Sequence, residues 1–380
     1  MKKSVKRIPI FNVLLTLYFF ALGGCSNFPA TFAQPTSIST IISTATDTET
    51  AADTATPTPT LTLTPTLTPS PTPPPYGGAS GAIIIREEEA NLSGNNNYND
   101  YYFSIVKYNF VTKTKDILAQ SDSKTTSYEA SSISSNGDYL YLSKYTLVHT
   151  SKGESWNNIL YQMDISSRKL TRLSSIPQFS GTDDAENLLN ESWPDISSDG
   201  KFLVFNSNRD YLSASTYLDK IYVMNLNDFS IKSIPNIPQK AFRARISPDG
   251  KTIALHGWDG NDWEIYTIGI DGTNLQQITN NTASDRYPDW SPDGTKLVFH
   301  SDRDGNIELY IYDLVSRETT RITNNPAVDA TANWSPDGKM LLFLSNRDGN
   351  DEIYAVNIET KEEVEIYKSA VNEEAPLWVP

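Results

Sequence analysis

The sequence predicts an all-β fold, a six-bladed β-propeller built from four-stranded antiparallel blades, on three observations. A tetrapeptide of the SPDG type recurs with its glycine at positions 137, 200, 250, 294 and 338, and the last two spacings are both 44 residues. The earlier spacings, 63 and 50, are the same unit with insertions. Each unit carries short β-branched and aromatic runs separated by turn residues. The two ends of the repeating region hold complementary fractions of one more unit.

The unit around Gly294 shows the elements in order. A first strand ends at Trp290, KLVFHS is a dense second strand, IELYIYDL alternates as a third, and TTRIT supplies the fourth. The turn Ser291-Pro292-Asp293-Gly294 joins the first two. Proline presets its own φ, aspartate suits the next position, and glycine takes the left-handed conformation that completes the hairpin. Asp304-Gly305-Asn306 and Asp348-Gly349-Asn350 are read as hairpin turns between second and third strands. Asp302, Asp304 and Glu308 supply oxygens there, but an EF-hand loop sets its glycine two residues later and needs an acid at its twelfth position.

Trp290, Trp334 and Trp378 stand 44 residues apart, so NEEAPLW near the C-terminus is a first strand. GAIIIREEE, DYYFSIVKYNF and KTKDILAQ near residue 80 are second, third and fourth strands without a first. Pairing the two ends closes a ring of six blades and removes the open sheet edges. The three tryptophans are expected in the core between blades.

SPDG followed by an apolar strand, SNRDG, EIYxxN and ITNN resembles the repeat of TolB-type propellers, which are WD40-like but lack the Gly-His and Trp-Asp marks. The resemblance spans residues 79–380 and is most specific in blades four to six. It implies a six-bladed propeller outside the cytoplasm that works by binding. The type member of that family carries an extra N-terminal domain and is soluble in the periplasm. Here the front of the chain is different.

Residues 1–24 resemble a bacterial lipoprotein signal peptide. Lys2, Lys3, Lys6 and Arg7 form a basic start, an apolar run extends from Ile8 to Leu22, and Leu22-Gly23-Gly24-Cys25 follows. The family chemistry attaches diacylglycerol to the cysteine and cleaves before it, which makes Cys25 the expected lipidation site and anchor. It is the only cysteine in 380 residues, which excludes a disulfide framework and a thiolate metal cluster. Residues 25–78 then read as a Thr/Pro-rich stalk, too poor in apolar area to offset the entropy of ordering.

The formal charge is −15, and removal of the signal takes away four basic and no acidic residues to leave −19. Phosphate backbones and anionic lipid heads repel such a surface, so no nucleic-acid role is expected, and membrane attachment is expected through lipid alone.

Candidate site residues follow from the repeat. Nine positions before the marker glycine stand Glu191, Asp285 and Asp329, with Glu373 in step and Ala241 as the exception. A ring of carboxylates at one rim position can hold a cation or a basic segment; alternatively each pairs within the propeller. Arg209, Arg303 and Arg347, nine after the glycine, are expected to pair with a blade carboxylate. The loops ANLSGNNNYND, VHTSKGESWNN and RDYLSASTYLD are expected to form a raised lip with Tyr98, Trp156, Tyr211 and Tyr217, beside Trp258 and Trp263, residue types favoured in recognition surfaces. His256 and His300 occupy one position in adjacent blades and are read as strand-end histidines rather than a metal pair.

There is no Gly-x-Ser-x-Gly elbow and no phosphate loop in the sequence. The expectation is a non-catalytic binding or scaffold module, monomeric, with no cofactor or metal, that takes a protein or a cell-wall glycan on its loop face. The alternative is a propeller glycoside hydrolase or polysaccharide lyase with acids at the channel mouth.

Overall fold

The structure, a computed structural model, describes residues 78–88, 103–122, 125–150, 153–174, 189–211, 219–369 and 373–380. The signal peptide, Cys25 and the stalk lie outside the described residues, as do Tyr98 and Tyr217. Among the described residues no helix is long and apolar enough to cross a membrane.

The strands form six four-stranded sheets. Blade one holds β1 (Ala82–Glu88), β2 (Phe103–Asn109) and β3 (Thr114–Ala119). Blade two holds β4 (Thr126–Ile133), β5 (Tyr139–Thr150), β6 (Gly153–Asp164) and β7 (Leu170–Arg172). Blade three holds β8 (Glu191–Ile196), β9 (Phe202–Ser207), β10 (Lys220–Asn225) and β11 (Ile231–Ser233). Blade four holds β12 (Ala241–Ile246), β13 (Thr252–Trp258), β14 (Trp263–Gly269) and β15 (Gln276–Gln277). Blade five holds β16 (Asp285–Trp290), β17 (Lys296–Ser301), β18 (Glu308–Asp313) and β19 (Thr319–Arg321). Blade six holds β20 (Asp329–Trp334), β21 (Met340–Ser345), β22 (Glu352–Asn357) and β23 (Glu363–Tyr367). The last strand, β24 (Glu373–Trp378), joins blade one, pairing Ile83 with Trp378 and Ile84 with Leu377. Val379 N donates to Ala82 O at 3.1 Å and Ser80 N to Val379 O at 3.2 Å, so the closure continues past the strand.

The marker turns have the predicted chemistry. Gly294 sits at φ 71°, its N–H donates to Ser291 O at 2.8 Å, and Lys296 N donates to Ser291 Oγ at 2.9 Å. Second strands are covered on both faces, which is why they read as unbroken apolar runs: Leu341, Leu342 and Phe343 are all fully buried. Trp290 packs with Ala254 and Ile265 of the preceding blade, and its Nε1 donates to Arg245 O at 3.0 Å. Trp334 and Trp378 are likewise buried in clusters spanning two blades.

First strands surround the axis, where each touches the next: β24 with β4, then β8, β12, β16, β20 and back to β24. Four of them stitch to the next by a side chain. Ser132 Oγ accepts from Ile196 N at 3.2 Å, Asp195 from Ile246 N at 2.8 Å, Asp289 from Trp334 N at 3.0 Å, and Asn333 Nδ2 donates to Pro376 O at 3.0 Å.

One expectation is corrected. VHTSKGESWNN is not a raised loop, because β5 and β6 pair from Tyr139↔Asp164 out to Thr150↔Gly153 and place Trp156 opposite Leu147. The run TLVHT is rich in β-branched residues, which favour extending the hairpin over breaking it.

Candidate functional site

The rim carboxylates are turned into their blades. Glu191, Asp285 and Asp329 open β8, β16 and β20 and are fully buried. Arg303 Nη2 reaches both oxygens of Asp285 at 3.0 and 2.9 Å, and Arg347 Nη2 reaches both of Asp329 at 3.2 and 3.1 Å. Arg209 pairs with Glu191, which also accepts from Ser174. Ser345 Oγ and Asn325 Nδ2 each donate to Asp329 at 2.6 Å. Each arginine comes from the turn after the second strand and lies over a third-strand ring, as Arg347 does over Tyr354 at 4.3 Å. The arginines therefore pair as the repeat predicts, and in these three blades the carboxylates are occupied rather than presented; a ligand cation would have to displace a bonded guanidinium. The Glu373 side chain lies outside the described residues.

Of the expected aromatic lip, Trp156 is half-buried on a strand, and the Tyr211 side chain lies outside the described residues. Trp258 is half-buried at the end of β13, 5.6 Å from Trp263 across the hairpin, with the Lys240 ammonium 5.6 Å above its ring.

A second constellation, not singled out from the sequence, lies on the first strands around the axis. Each of these strands slips register by a bulge, between Ser192 and Asp195 in β8 and between Phe242 and Arg245 in β12. The bulged residues Trp193, Arg243, Tyr287 and Thr331 have φ of 55°, 56°, 56° and 51°. A bulge re-aims its side chain. Here three consecutive blades bring theirs together, with the Arg243 guanidinium 4.5 Å from the Trp193 ring centroid and 4.7 Å from that of Tyr287. All three are half-buried.

Glu129 of β4 anchors this row. Its carboxylate accepts from Trp193 Nε1 at 2.8 Å, pairs with Arg243 at 3.3 Å, and accepts from Tyr145 Oη. Burial raises its pKa, but Arg243, Arg86 and the hydrogen bonds from Tyr145 and Trp193 together outweigh that and hold it below the usual carboxylate range. Beneath, Arg245 donates to Ser131 O at 2.8 Å and to Asp195 at 3.1 Å, and stands 3.9 Å from Asp289. Burial, exceeding the pull of Arg245, pushes Asp289 up to about 6. The signal for this cluster was the position seven before each marker glycine.

His256 and His300 flank the Tyr287 ring at 5.6 and 4.9 Å. The tyrosine ring packs against both imidazoles. Burial first, then Arg286 and Arg243, push both well below the usual histidine range, His300 to about 3. They are neutral, and Nδ1 of His256 accepts from Tyr287 N at 3.5 Å. Among the described residues, one group of three carboxylates, Asp259, Asp262 and Glu264, brings an oxygen from each within 4.8 Å of the others.

Comparison with known proteins supports the architecture. The family model described as the TolB β-propeller domain matches residues 194–307 and 303–380. No curated protein sequence matches the chain. TolB from Acinetobacter baumannii is 17% identical with a TM-score of 0.62 over 80% of this chain and 68% of that one. Putative TolB from Agrobacterium tumefaciens is 17% identical with a TM-score of 0.56 over 79% of this chain and 98% of that one. A chain of a nidogen/laminin complex is 8% identical with a TM-score of 0.55 over 79% and 99%. In all, 903 solved chains match, so the shape alone does not select a function. With its repeat, blade count and closure, the ring formed by this chain is a TolB-type six-bladed β-propeller.

Proposed function

We propose that this chain is a binding module outside the cytoplasm, anchored by lipid at Cys25, raised on a Thr/Pro-rich stalk, and engaging a protein of the cell envelope through its first-strand face. The observation that carries this reading is the row Trp193–Arg243–Tyr287. Trp, Tyr and Arg are the residue types most enriched among residues that dominate binding energy. Their half-buried stacking on rigid bulges holds them ready at little entropic cost. The nearby acids are occupied by arginines or backbone N–H groups, and both histidines are held neutral, an arrangement suited to recognition. The likeness to a chain of a nidogen/laminin complex favours a protein partner over a glycan.

The test is capture from a cell-envelope extract by the full chain, run beside Arg243→Lys. Lysine keeps a charge opposite Glu129 but loses the planar stack on both rings. A partner held by the parent and lost by the folded variant supports the reading. Equal capture by both removes the site, and turnover of a polysaccharide by the purified chain would put a lyase or hydrolase in its place.

A further inference from the structure

Blades four and five superpose in sequence at a shift of 44 residues, and the charges around one buried glutamate differ between them. In blade five, Glu308 at the start of β18 is fully buried and neutralised. It accepts from Arg321 Nη2 at 3.1 Å, Asn306 Nδ2 at 2.9 Å and Asn325 N at 2.9 Å. Arg303, on the same turn, closes Asp285.

Glu264 is the same residue in blade four and is also fully buried. Asn281 N donates to its Oε1 at 2.7 Å, as Asn325 N does to Glu308. Its charged surroundings differ, with two cations gone and two carboxylates added. Asp259 stands where blade five has Arg303, Asp262 where it has Asn306, and Gln277 where it has Arg321. Even the carboxylate that the missing arginine would serve is absent, since Ala241 replaces Asp285.

Glu264 Oε2 and Asp262 Oδ1 are buried without a hydrogen-bond partner. Glu308 also leaves one oxygen without a hydrogen bond, but Arg321 is paired to that carboxylate. No Lys, Arg or His among the described residues forms an ion pair with Asp259, Asp262 or Glu264. The further charges that bear on Asp262 are the acids Asp285 and Asp302. Three carboxylates, one wholly buried, thus gather within 4.8 Å of one another with no side-chain cation paired to them.

We propose that Asp259, Asp262 and Glu264 form a Ca²⁺ site at the turn between β13 and β14. The donors are all oxygen, which selects a hard cation. Ca–O bonds of about 2.4 Å place ligand oxygens up to about 4.8 Å apart, whereas the ~2.1 Å bonds of Mg²⁺ want a tighter octahedron. Asp259 is exposed, which leaves one side of the cluster open to water ligands. The site lies between Trp258 and Trp263, so its occupancy bears directly on the aromatic pair at that rim.

Those tryptophans also supply the readout. Tb³⁺ is added to the full chain, indole-sensitised terbium emission is followed, and CaCl₂ is titrated against it. The expected result is saturable emission that Ca²⁺ displaces, with affinity at least tenfold weaker in Asp262→Asn. That substitution installs the residue blade five already carries, so the fold is expected to persist, and circular dichroism checks it. CaCl₂ is also expected to raise the Tm of the parent and leave that of Asp262→Asn unmoved. Emission unaffected by Asp262→Asn would mean that ions gather elsewhere on the acidic surface. That result, or no Ca²⁺ displacement up to about 10 mM, well above the affinity of extracellular calcium modules, would overturn the site.

Discussion

The guanidinium of Arg243 lies 4.5 Å from the ring centroid of Trp193, one blade away, while its Nη2 reaches Glu129, two blades away, at 3.3 Å. One side chain therefore ties three blades together at the axis. Its cation is stacked on a half-buried face and countered by a buried carboxylate.

Glu129→Ala should be among the costliest single changes in the ring. It strands Arg243, the Trp193 indole N–H and the Tyr145 hydroxyl together. Breaking a buried pair from one side costs about 3–5 kcal/mol, read as a lower urea midpoint. The lowered pKa of Glu129 gives the pH sense. Its stabilisation is present above the unfolded carboxylate pKa and is lost as pH falls through the folded value.

The Asp285–Arg303 pair offers a cleaner partition. Asp285 is fully buried and held by both contacts to one nitrogen of Arg303. Asp285→Ala alone should destabilise by about 2–4 kcal/mol, because a partly buried cation and the Asn281 amide lose their partner. The double variant with Arg303→Ala should fall short of the sum of the singles by about 1–3 kcal/mol. Strict additivity in urea melts would show that the pair is not coupled.

Acid should destabilise the ring through its histidines. The folded pKa of His300 is about 3, that of His256 is also depressed, and both face Arg286 and Arg243. The unfolded chain takes up protons from about pH 6.5 downward while the folded one refuses them. Stability is thus complete above that pH and falls by about 1.4 kcal/mol per pH unit for each histidine as pH drops toward the folded pKa. Asp289, raised to about 6, works the other way and gains stability as pH falls through its window. Glu264, raised by burial to about 7, acts in the same sense as Asp289, so the histidine contribution is isolated by substitution: between pH 7 and 5, His300→Gln should lose less stability on acidification than the parent.

Closure should be all or none. Deleting residues 373–380 removes Leu377 and Trp378 from two core clusters and bares the β1 edge. An unpaired apolar edge invites pairing with another chain. The truncated chain is expected to aggregate on expression, and monomeric, cooperatively melting protein after the deletion would refute the latch.

Most of the architecture was legible. The marker turns, the strands of blades four to six, the interblade tryptophans and the pairing of the two ends all follow from local rules: turn chemistry, period-two alternation and a fixed repeat. The partner type of Arg209, Arg303 and Arg347 was legible too, because three arginines in one register need three acids. The extended hairpin of blade two was not, since TLVHT and GESWNN carry strand and turn signals together. The Trp193–Arg243–Tyr287 row was also missed. Its members look unrelated in sequence, and only a bulge repeated at one position turns them toward each other.

By itself the sequence determined the blade, the count, the closure and a set of expectations for the front of the chain. Tertiary structure decided which charges meet. It turned Glu191, Asp285 and Asp329 inward onto their own arginines, gathered Glu129, Trp193 and Arg243 from three blades at the axis, and brought Asp259, Asp262 and Glu264 together at one turn. The reason is physical. Repeats specify backbone through local hydrogen bonds and burial, whereas an ion pair depends on side chains that ring geometry brings together across 18 to 114 residues of chain.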